Sequence, residues 1–386
     1  MYMMTAFKQN SIIIILLLFF RRNVMKTRVL SVMLVLMLGL VGCHNKEVLD
    51  ESPGELPLKT GIEFNIGVLV GSGEIDDRSF NQGAWEAIVQ YTEKHPHVKA
   101  QMVIPKDDKL EAHLAAVEEL ITVKSDIIIA FGAEFNEVIE KAQDKYDEAN
   151  YILLDGELNQ ISSNTVVVNF AQQEVGFLAG VAAALQSPNE KLGFIGGVKN
   201  ANIERYGLGF KAGVDYANKT YNTSAEILDY RYQGAFNNPD EGQRLANDMF
   251  DKNITTIFVA AQGTGIGVMN EAKVRMEQDE EIYIIGADMD QFEEGKIIDE
   301  KSVVLTSAVL HFDRGLHEVL DKYANQQFPG GQQILKNIAN EGIGLPEQNL
   351  NFLTETQVKV QEVTDEIRSG EKIIPESLAA LREMQD

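Results

Sequence analysis

Short apolar runs alternate with amphipathic segments over most of the chain. The runs are 4 to 8 residues long or nearly so, rich in Val and Ile, and bounded by Gly, Asp or Asn, as buried strands are. In the segments between them apolar residues recur at helical spacing, as Ala84, Trp85 and Ile88 do. The alternation predicts a doubly wound α/β fold with parallel sheets, formed roughly twice over. The predicted strands are residues 65–71, 98–104, 126–132, 151–156, 166–170, 192–197, 225–230, 256–262, 282–288 and 303–309.

A crowded polar stretch, GEIDDRSFNQGAWEAI at residues 73–88, joins the first predicted strand to the first predicted helix. Ser79 and Gln82 have the S-x-x-Q spacing of a capping box, which predicts Ser79 as the N-cap and places Phe80 and Asn81 on the first turn. The neighbouring acids, Asp76 and Asp77, have two interpretations: a solvated loop, which we favour, or a site for hydroxyl groups or a metal. In either case the loop faces the cleft onto which the strand ends open.

Other candidate ligand residues also directly follow predicted strands, namely Asp155, Phe236, the 262–265 loop with Gln262 and Gly263, and Asp288. The glycines at 263–267 lack the spacing of a dinucleotide fingerprint and of a phosphate-binding loop. We therefore expect a tight turn whose amides line the cleft, and no nucleotide cofactor. The histidines have no metal-ligand spacing, and we expect His311 and His317 to be surface or cleft residues. The sequence thus predicts no catalytic residue, no cofactor and no metal.

The first 42 residues carry five basic residues and no acid. From Met25, the expected true start, a basic segment precedes an apolar stretch and small residues, which is typical of a secretory signal. The tetrapeptide LVGC, ending at Cys43, resembles a bacterial lipobox and implies lipid attachment to the only cysteine of the chain. The alternative, a cysteine in a membrane-spanning helix, is disfavoured because the stretch is shorter than the roughly 18–20 residues a span needs. Residues 44–61 are polar with two prolines and predict a tether.

The charge of the protein limits its partners. The formal net charge of −24 becomes −29 once the five basic residues of the signal are removed. Such an acidic surface argues against nucleic acid and anionic lipid as binding partners. More than three hundred residues remain after Cys43, which is enough for two lobes.

Six motifs together resemble the basic membrane protein family of solute-binding lipoproteins. The resemblance covers essentially the whole chain after Cys43, and its motifs are IDDRSFNQGAWEAI (75–88), FIGGVKNANIERYGLGFKAG (194–213), GAFNNPDEGQRLANDMF (234–250), AAQGTGIGV (260–268), GADMDQ (286–291) and LTSAV (305–309). It implies a type I periplasmic-binding-protein fold, with two Rossmann-like lobes joined by three crossovers. The implied divisions are a signal region at 1–42, a lipid-anchored linker at 43–61, a first lobe at 62–168, a second lobe at 169–305, a return to the first lobe at 306–330 and a C-terminal segment, mostly of the second lobe, at 331–386.

The resemblance also implies a function. Family members are receptors of ABC importers, and those characterised bind nucleosides, purine nucleosides especially. For this chain it implies a monomer anchored through Cys43 to the extracytoplasmic face of a bacterial membrane, with a permease and an ATPase as partners. A sensory or adhesive lipoprotein remains an alternative, and a nucleoside hydrolase is a less favoured one.

The site residues carried by the resemblance are an aromatic clamp and its polar neighbours. Phe80 and Phe236 match the two clamp positions, although core filling would explain either ring alone. Asn81 matches a contact to the base edge, and Asp288 matches an acceptor for sugar hydroxyls. We add five cleft residues to this set, namely Asp77, Asp155, Gln262, Gly263 and His311.

Three positions depart from the family pattern. Gly71 stands where the family usually has an aspartate that reaches the ligand, and Leu310 stands where it has a lysine. Gln262 replaces a usual glycine. These changes concern the sugar end of the implied site, where Gln262 or His311 would be the compensating groups. The identity of the nucleoside therefore stays open between guanosine, adenosine, inosine and related nucleobase compounds.

Overall fold

The computed structural model describes residues 62–71, 75–187, 190–297 and 301–384. The predicted signal, the lipidation site Cys43 and the tether up to residue 61 lie outside the described residues. Within these four ranges, no helix is both long enough and apolar enough to cross a membrane.

The described residues form two six-stranded sheets. The first sheet has the strand order β11-β5-β4-β3-β1-β2, all pairs parallel. Its strands are β1 (Phe64–Leu69), β2 (Val98–Val103), β3 (Ile127–Phe131), β4 (Asn150–Leu154), β5 (Thr165–Phe170) and β11 (Gln332–Lys336).

The second sheet has the order β12-β10-β9-β8-β6-β7, and only its β10–β12 pair is antiparallel. Its strands are β6 (Lys191–Gly196), β7 (Glu226–Tyr232), β8 (Ile254–Ala260), β9 (Tyr283–Asp288), β10 (Val304–Leu310) and β12 (Ile343–Gly344). The ten strands predicted from the sequence are confirmed, and the predicted α/β class with them.

Eight of the ten helices in the described ranges lie between strands along the chain, and two follow the last strand. They are α1 (Phe80–Lys94), α2 (Leu110–Thr122), α3 (Asn136–Lys145), α4 (Gln172–Gln186), α5 (Ala201–Tyr221), α6 (Pro239–Phe250), α7 (Gly263–Met276), α8 (Phe312–Ala324), α9 (Thr354–Ser369) and α10 (Leu378–Glu383). A short 3₁₀ turn, Ala133–Phe135, precedes α3. All five residues of β3 are buried, as expected for a parallel strand covered on both faces.

Over the part of the chain that the structure describes, the backbone passes between the two sheets three times. It leaves the first sheet after β5, returns to it after β10, and leaves it again between β11 and β12. The return lies at His311, because Leu310 still pairs with β12 of the second sheet whereas α8 packs against α1. Two six-stranded sheets joined by three connections are the architecture that the resemblance implied.

Each sheet has one point where the direction of strand addition reverses. In the first sheet the chain adds β2 on one side of β1 and β3 on the other; in the second sheet it adds β7 and β8 on opposite sides of β6. Ligands of open α/β sheets bind in the crevice at the carboxyl ends of such strand pairs. The fold therefore marks two edges for the site, β1/β3 and β6/β8.

A close contact between α4 and α5 fixes the start of α5. A Cβ on Gly176 would lie 2.5 Å from the Tyr206 carbonyl oxygen, and one on Gly209 would overlap the carbonyl of Gln173. Only glycine allows the two helix backbones to approach this closely. The contact holds Tyr206, which is 2% exposed, with its hydroxyl directed at the end of β9.

Candidate functional site

The loop before α1 is organised by Asp77. Its carboxylate accepts hydrogen bonds from the backbone N–H groups of Ser79 (2.9 Å), Asn81 (3.1 Å) and Gln82 (3.1 Å). Ser79 is the N-cap of α1, as predicted, but its side chain makes no capping bond. The predicted capping box is wrong, since Asp77 satisfies the free N–H groups and Gln82 instead accepts from the N–H of Arg78.

The preferred interpretation of the Asp76–Asp77 pair as a solvated loop is also wrong for one of the two residues. Asp76 is exposed, but Asp77 is buried. Burial raises the pKa of the Asp77 carboxyl to about 6, against the opposing effect of the three backbone N–H donors and with a further upward contribution from the charge of Asp288. Asp77 therefore fixes the shape of the loop by accepting hydrogen bonds from the backbone N–H groups of Ser79, Asn81 and Gln82.

Ser79 links the two sheets. Its hydroxyl donates to Oδ2 of Asp288 at 2.5 Å, and the Tyr206 hydroxyl donates to Oδ1 of the same carboxylate at 2.8 Å. Asp288 is the last residue of β9 and is buried. Burial raises the pKa of Asp288, and these two hydrogen bonds oppose the rise. The acid predicted to accept sugar hydroxyls thus lies between α1, which follows β1 of the first sheet, and α5, which follows β6 of the second.

Asp155 follows β4 and is held from both sides. Its carboxylate accepts from Nε2 of Gln172 (2.6 Å) and from the N–H of Phe170 (3.2 Å), and its carbonyl accepts from Nδ2 of Asn202 (2.9 Å) on α5. Burial raises the pKa of Asp155 to about 7, and the nearby charge of Asp288 adds to the rise. The two acids are therefore electrostatic neighbours.

The β6/β8 edge brings three of the predicted residues together. Phe236 is half-buried, and its ring lies against Gly197, where a Cβ would overlap it. The Phe236 carbonyl accepts from the N–H of Thr264 at 2.9 Å, in the turn that begins with Gln262 and Gly263. The predicted tight turn is thus present, and it lies at a strand reversal point.

The other clamp residue has a different environment. Phe80 is 6% exposed and meets Phe312 edge-to-face, with ring centroids 5.3 Å apart. Asn81 beside it is also buried. His311, just before Phe312, is half-buried, and burial lowers its pKa. Among the described residues, the structure shows no ring contact between Phe80 and Phe236.

A cavity of about 160 Å³ lies between the strand ends of the first sheet and the start of α5. Polar groups line it, including Asn136, Asp155, Asn200, Asn202 and Arg205. The side-chain oxygen of Asn169, also in its wall, is buried without a partner. Small-molecule pockets usually span about 300–1,000 Å³. A ligand of nucleoside size would therefore require the two sides to separate.

Sequence reasoning missed several polar residues of this region. They are Gln172, Asn202, Arg205 and Tyr206, together with the bond from Ser79 to Asp288. Three of them lie in the motif at residues 194–213, so the motif marked the segment but not the role of each side chain. Within the described residues, no group of three or more potential metal ligands occurs.

The charge of Asp288 raises the pKa of both Asp77 and Asp155, so each of these two buried carboxyls is an electrostatic neighbour of Asp288. Arg205, a cation in the cavity wall, lowers the pKa of Asp155. Carboxylates accept hydrogen bonds from hydroxyl and N–H groups, whereas phosphate oxygens beside them are repelled.

The comparisons with known proteins agree with this architecture. A family model described as "ABC transporter substrate-binding protein PnrA-like" matches residues 64–378. A "CD4+ T-cell-stimulating antigen" of Listeria innocua is 30% identical over 365 residues, which cover 91% of this chain and 99% of the relative. An "ABC transporter nucleoside-binding protein BmpA" of Lactococcus lactis is 24% identical, covering 91% of this chain and 99% of the relative.

A solved structure gives the same fold. The solute-binding protein of an ABC transporter system from Aeropyrum pernix superposes with a TM-score of 0.72 at 20% identity, covering 83% of this chain and 98% of that one. The type I fold is therefore confirmed, and the family model confirms the resemblance carried by the six motifs.

Proposed function

We propose, because the chain belongs to the PnrA-like family of ABC transporter substrate-binding proteins, that it is a lipid-anchored receptor that delivers a nucleoside or related nucleobase compound to an importer. The family itself accounts for a small-molecule ligand and for transporter subunits as partners. The nucleoside, the anchor and the monomeric state are the parts proposed here.

The observation that carries the proposal is the meeting of both sheets at Asp288. Its carboxylate is bound by Ser79 from the first helix and by Tyr206 from α5, so the strand ends of the two sheets face one region. Two lobes that approach through such hydrogen bonds can open by exchanging them for water and close on a ligand. Hydroxyls of a sugar are donors of the same kind as the Ser79 and Tyr206 hydroxyls.

The ring end of the proposed ligand is supported by Phe236. Its half-buried ring lies at the β6/β8 edge, beside the Gln262–Gly263 turn. Stacking of a base on an aromatic ring contributes about 1–3 kcal/mol per base. The relative from Lactococcus lactis, named as a nucleoside-binding protein, supports the same ligand class. The buried carboxyls favour the uncharged nucleoside over its phosphates.

Calorimetric titration of the purified full-length protein tests the proposal. The panel is guanosine, adenosine, inosine, their free bases, ribose and the 5′-monophosphates. We expect saturable one-to-one binding of at least one nucleoside, weaker binding of its monophosphate, and no chemical change in the ligand recovered afterwards. Binding of none of the panel would refute the nucleoside proposal and favour the sensory or adhesive alternative. Recovery of free base from a bound nucleoside would favour the hydrolase.

A further inference from the structure

The Glu134 carboxylate lies against two strand ends of the first sheet. A Cβ on Gly71, just after β1, would lie 2.9 Å from Oε1 of Glu134, and a Cβ on Gly132, just after β3, would overlap Oε2. Gly132 also has a φ of 102°, a conformation that residues with a side chain rarely adopt. Two glycines therefore leave the space that this carboxylate fills.

That space is the reversal point of the first sheet. β1 and β3 are the neighbouring strands between which the order of addition turns, and their carboxyl ends form the crevice where ligands of such sheets bind. The Glu134 side chain is exposed to solvent, yet desolvation by the surrounding protein raises its pKa to about 7, and the charge of Asp108 adds to the rise. Protein thus surrounds the carboxylate, while the residue as a whole keeps contact with solvent.

The other acids of the region have their oxygens engaged by the protein. Asp77 accepts from three backbone N–H groups, Asp155 from Gln172 and Phe170, and Asp288 from Ser79 and Tyr206. By contrast, among the hydrogen bonds and ion pairs between described residues, none joins the Glu134 carboxylate to another residue. A hydrogen bond from its own backbone N–H takes up part of the acceptor capacity of this carboxylate and lowers its pKa, and the remaining lone pairs can accept from a ligand.

We propose that Glu134 is a ligand-binding residue whose carboxylate, reaching back over Gly71 and Gly132, accepts a hydrogen bond from an O–H or N–H group of the ligand. The inference rests on the proposed function and deepens it. The family usually has an aspartate at the position of Gly71, after β1, and we assign the role of that acid to Glu134. Neither Gln262 nor His311 is then required to make this contact. A sugar hydroxyl and a base N–H are both donors, and the experiment separates these two sources.

The test titrates the full-length protein and its Glu134→Gln variant with a nucleoside, its 2′-deoxy and 3′-deoxy forms, and the free base. A hydrogen bond to a charged group leads us to expect a loss of about tenfold or more in affinity for the nucleoside. A loss that disappears for a deoxynucleoside identifies a hydroxyl donor, and a loss of equal size for the free base identifies a base N–H. Glu137→Gln is the matched control, because Glu137 is an exposed acid of the same segment, paired with Lys141.

A swap provides a second measurement. In Gly71→Asp alone, the new Cβ would press against the Glu134 carboxylate. In the double variant Gly71→Asp with Glu134→Ala, the aspartate carboxylate takes the space that the Glu134 side chain has left. We expect the swap to bind the nucleoside more tightly than Glu134→Ala alone. Unchanged affinity in Glu134→Gln would overturn the inference while leaving the receptor proposal standing. Failure of the wild-type protein to bind any ligand of the panel would overturn both.

Discussion

Asp155 and Asp288 occupy equivalent positions in the two sheets. Asp155 follows β4, beside β3, and Asp288 ends β9, beside β8, and both have positive φ angles, 53° and 70°. Asp tolerates this conformation better than most residues because its short side chain can bond locally. Because the two sheets have the same strand arrangement, the fold places two buried acids near each other. Their burial makes the free energy of unfolding depend on pH.

The first prediction concerns the pH dependence of unfolding. The pKa of Asp155 is about 7 in the folded protein, against 3.8 for an ordinary Asp, so the folded state holds a proton that the unfolded state releases. The contribution of this proton to the free energy of unfolding is fully present below about pH 4 and is lost as the pH rises to about 7. We expect Asp155→Asn to gain stability relative to wild type across this window, measured by urea unfolding at several pH values.

The local geometry allows that replacement. Oε1 of Gln172 is buried without a partner while Nε2 donates to Asp155. In the variant, a flipped Gln172 amide would accept from the amide that replaces the carboxylate, so the hydrogen bond survives. Glu157→Gln, an exposed neighbour, is the control and should give a pH profile parallel to wild type. A parallel profile for Asp155→Asn as well would contradict the prediction.

The second prediction concerns the cap of α1. Asp77→Ala removes the acceptor of three backbone N–H groups, and we expect a loss of about 1–2 kcal/mol in the free energy of unfolding. Asp76→Ala, at the exposed neighbouring acid, should change stability by no more than about 0.5 kcal/mol. Denaturant unfolding at pH 7 measures both. Equal effects would mean that the capping geometry is not what stabilises the loop.

The third prediction separates the two rings of the proposed clamp. Phe80 is buried against Phe312, so Phe80→Ala should cost about 3–5 kcal/mol of stability, as large-to-small changes in a core do. Phe236 is half-buried at a cleft edge, so Phe236→Ala should cost about 1–3 kcal/mol of nucleoside binding with a smaller effect on stability. Calorimetry and thermal unfolding of both variants give the comparison. Should Phe236→Ala bind nucleoside as wild type does, Phe236 is not a stacking residue.

The elements were more predictable from the sequence than the hydrogen bonds between them. Apolar runs identified ten strands, because a strand covered on both faces must be apolar throughout. β11 was missed because its sequence, QQILK, begins with two exposed glutamines at a sheet edge, and β12 because it has only two residues. Pattern alone cannot show such long-range pairing.

Within the site, the same limit applies to individual side chains. Position after a strand predicted that Asp155, Phe236 and Asp288 lie at strand ends, since parallel strands all end at one edge; their role in binding stays a prediction. The S-x-x-Q spacing identified Ser79 as the N-cap but not the capping bonds, because Asp77, two residues earlier, accepts from the free N–H groups. Glu134 gave no signal, since its position depends on two glycines that are far apart in the chain.

The fourth prediction concerns the anchor. If Cys43 carries the lipid, labelled palmitate should enter the protein, and Cys43→Ala should abolish labelling and release the product in soluble form. Deleting codons 1–24 should leave both anchoring and labelling unchanged if the proposed signal begins at Met25, since the basic, apolar and small-residue parts typical of a signal all follow that residue. Label that persists in Cys43→Ala would refute the lipobox, and loss of export in the deletion would give the upstream segment a role.

The turn after β8 has an unusual backbone. Gln262 has φ 48° and ψ −131°, a combination that strongly favours glycine, and it makes no side-chain capping bond to α7. Such a conformation costs about 1–3 kcal/mol in a residue with a side chain. A strained residue at a strand reversal point, next to Phe236, is consistent with a side chain kept for binding.

The fifth prediction follows from that strain. Gln262→Gly should raise the free energy of unfolding by about 1 kcal/mol, because glycine adopts this backbone without strain. It should also weaken nucleoside binding by about 0.5–1.5 kcal/mol, the usual contribution of a neutral hydrogen bond, because the amide is lost. Asn253→Gly is the control, an exposed residue at φ 61° away from the cleft, where Asn is already tolerated. A variant that gains stability and binds nucleoside unchanged would show that the Gln262 amide does not contact the ligand.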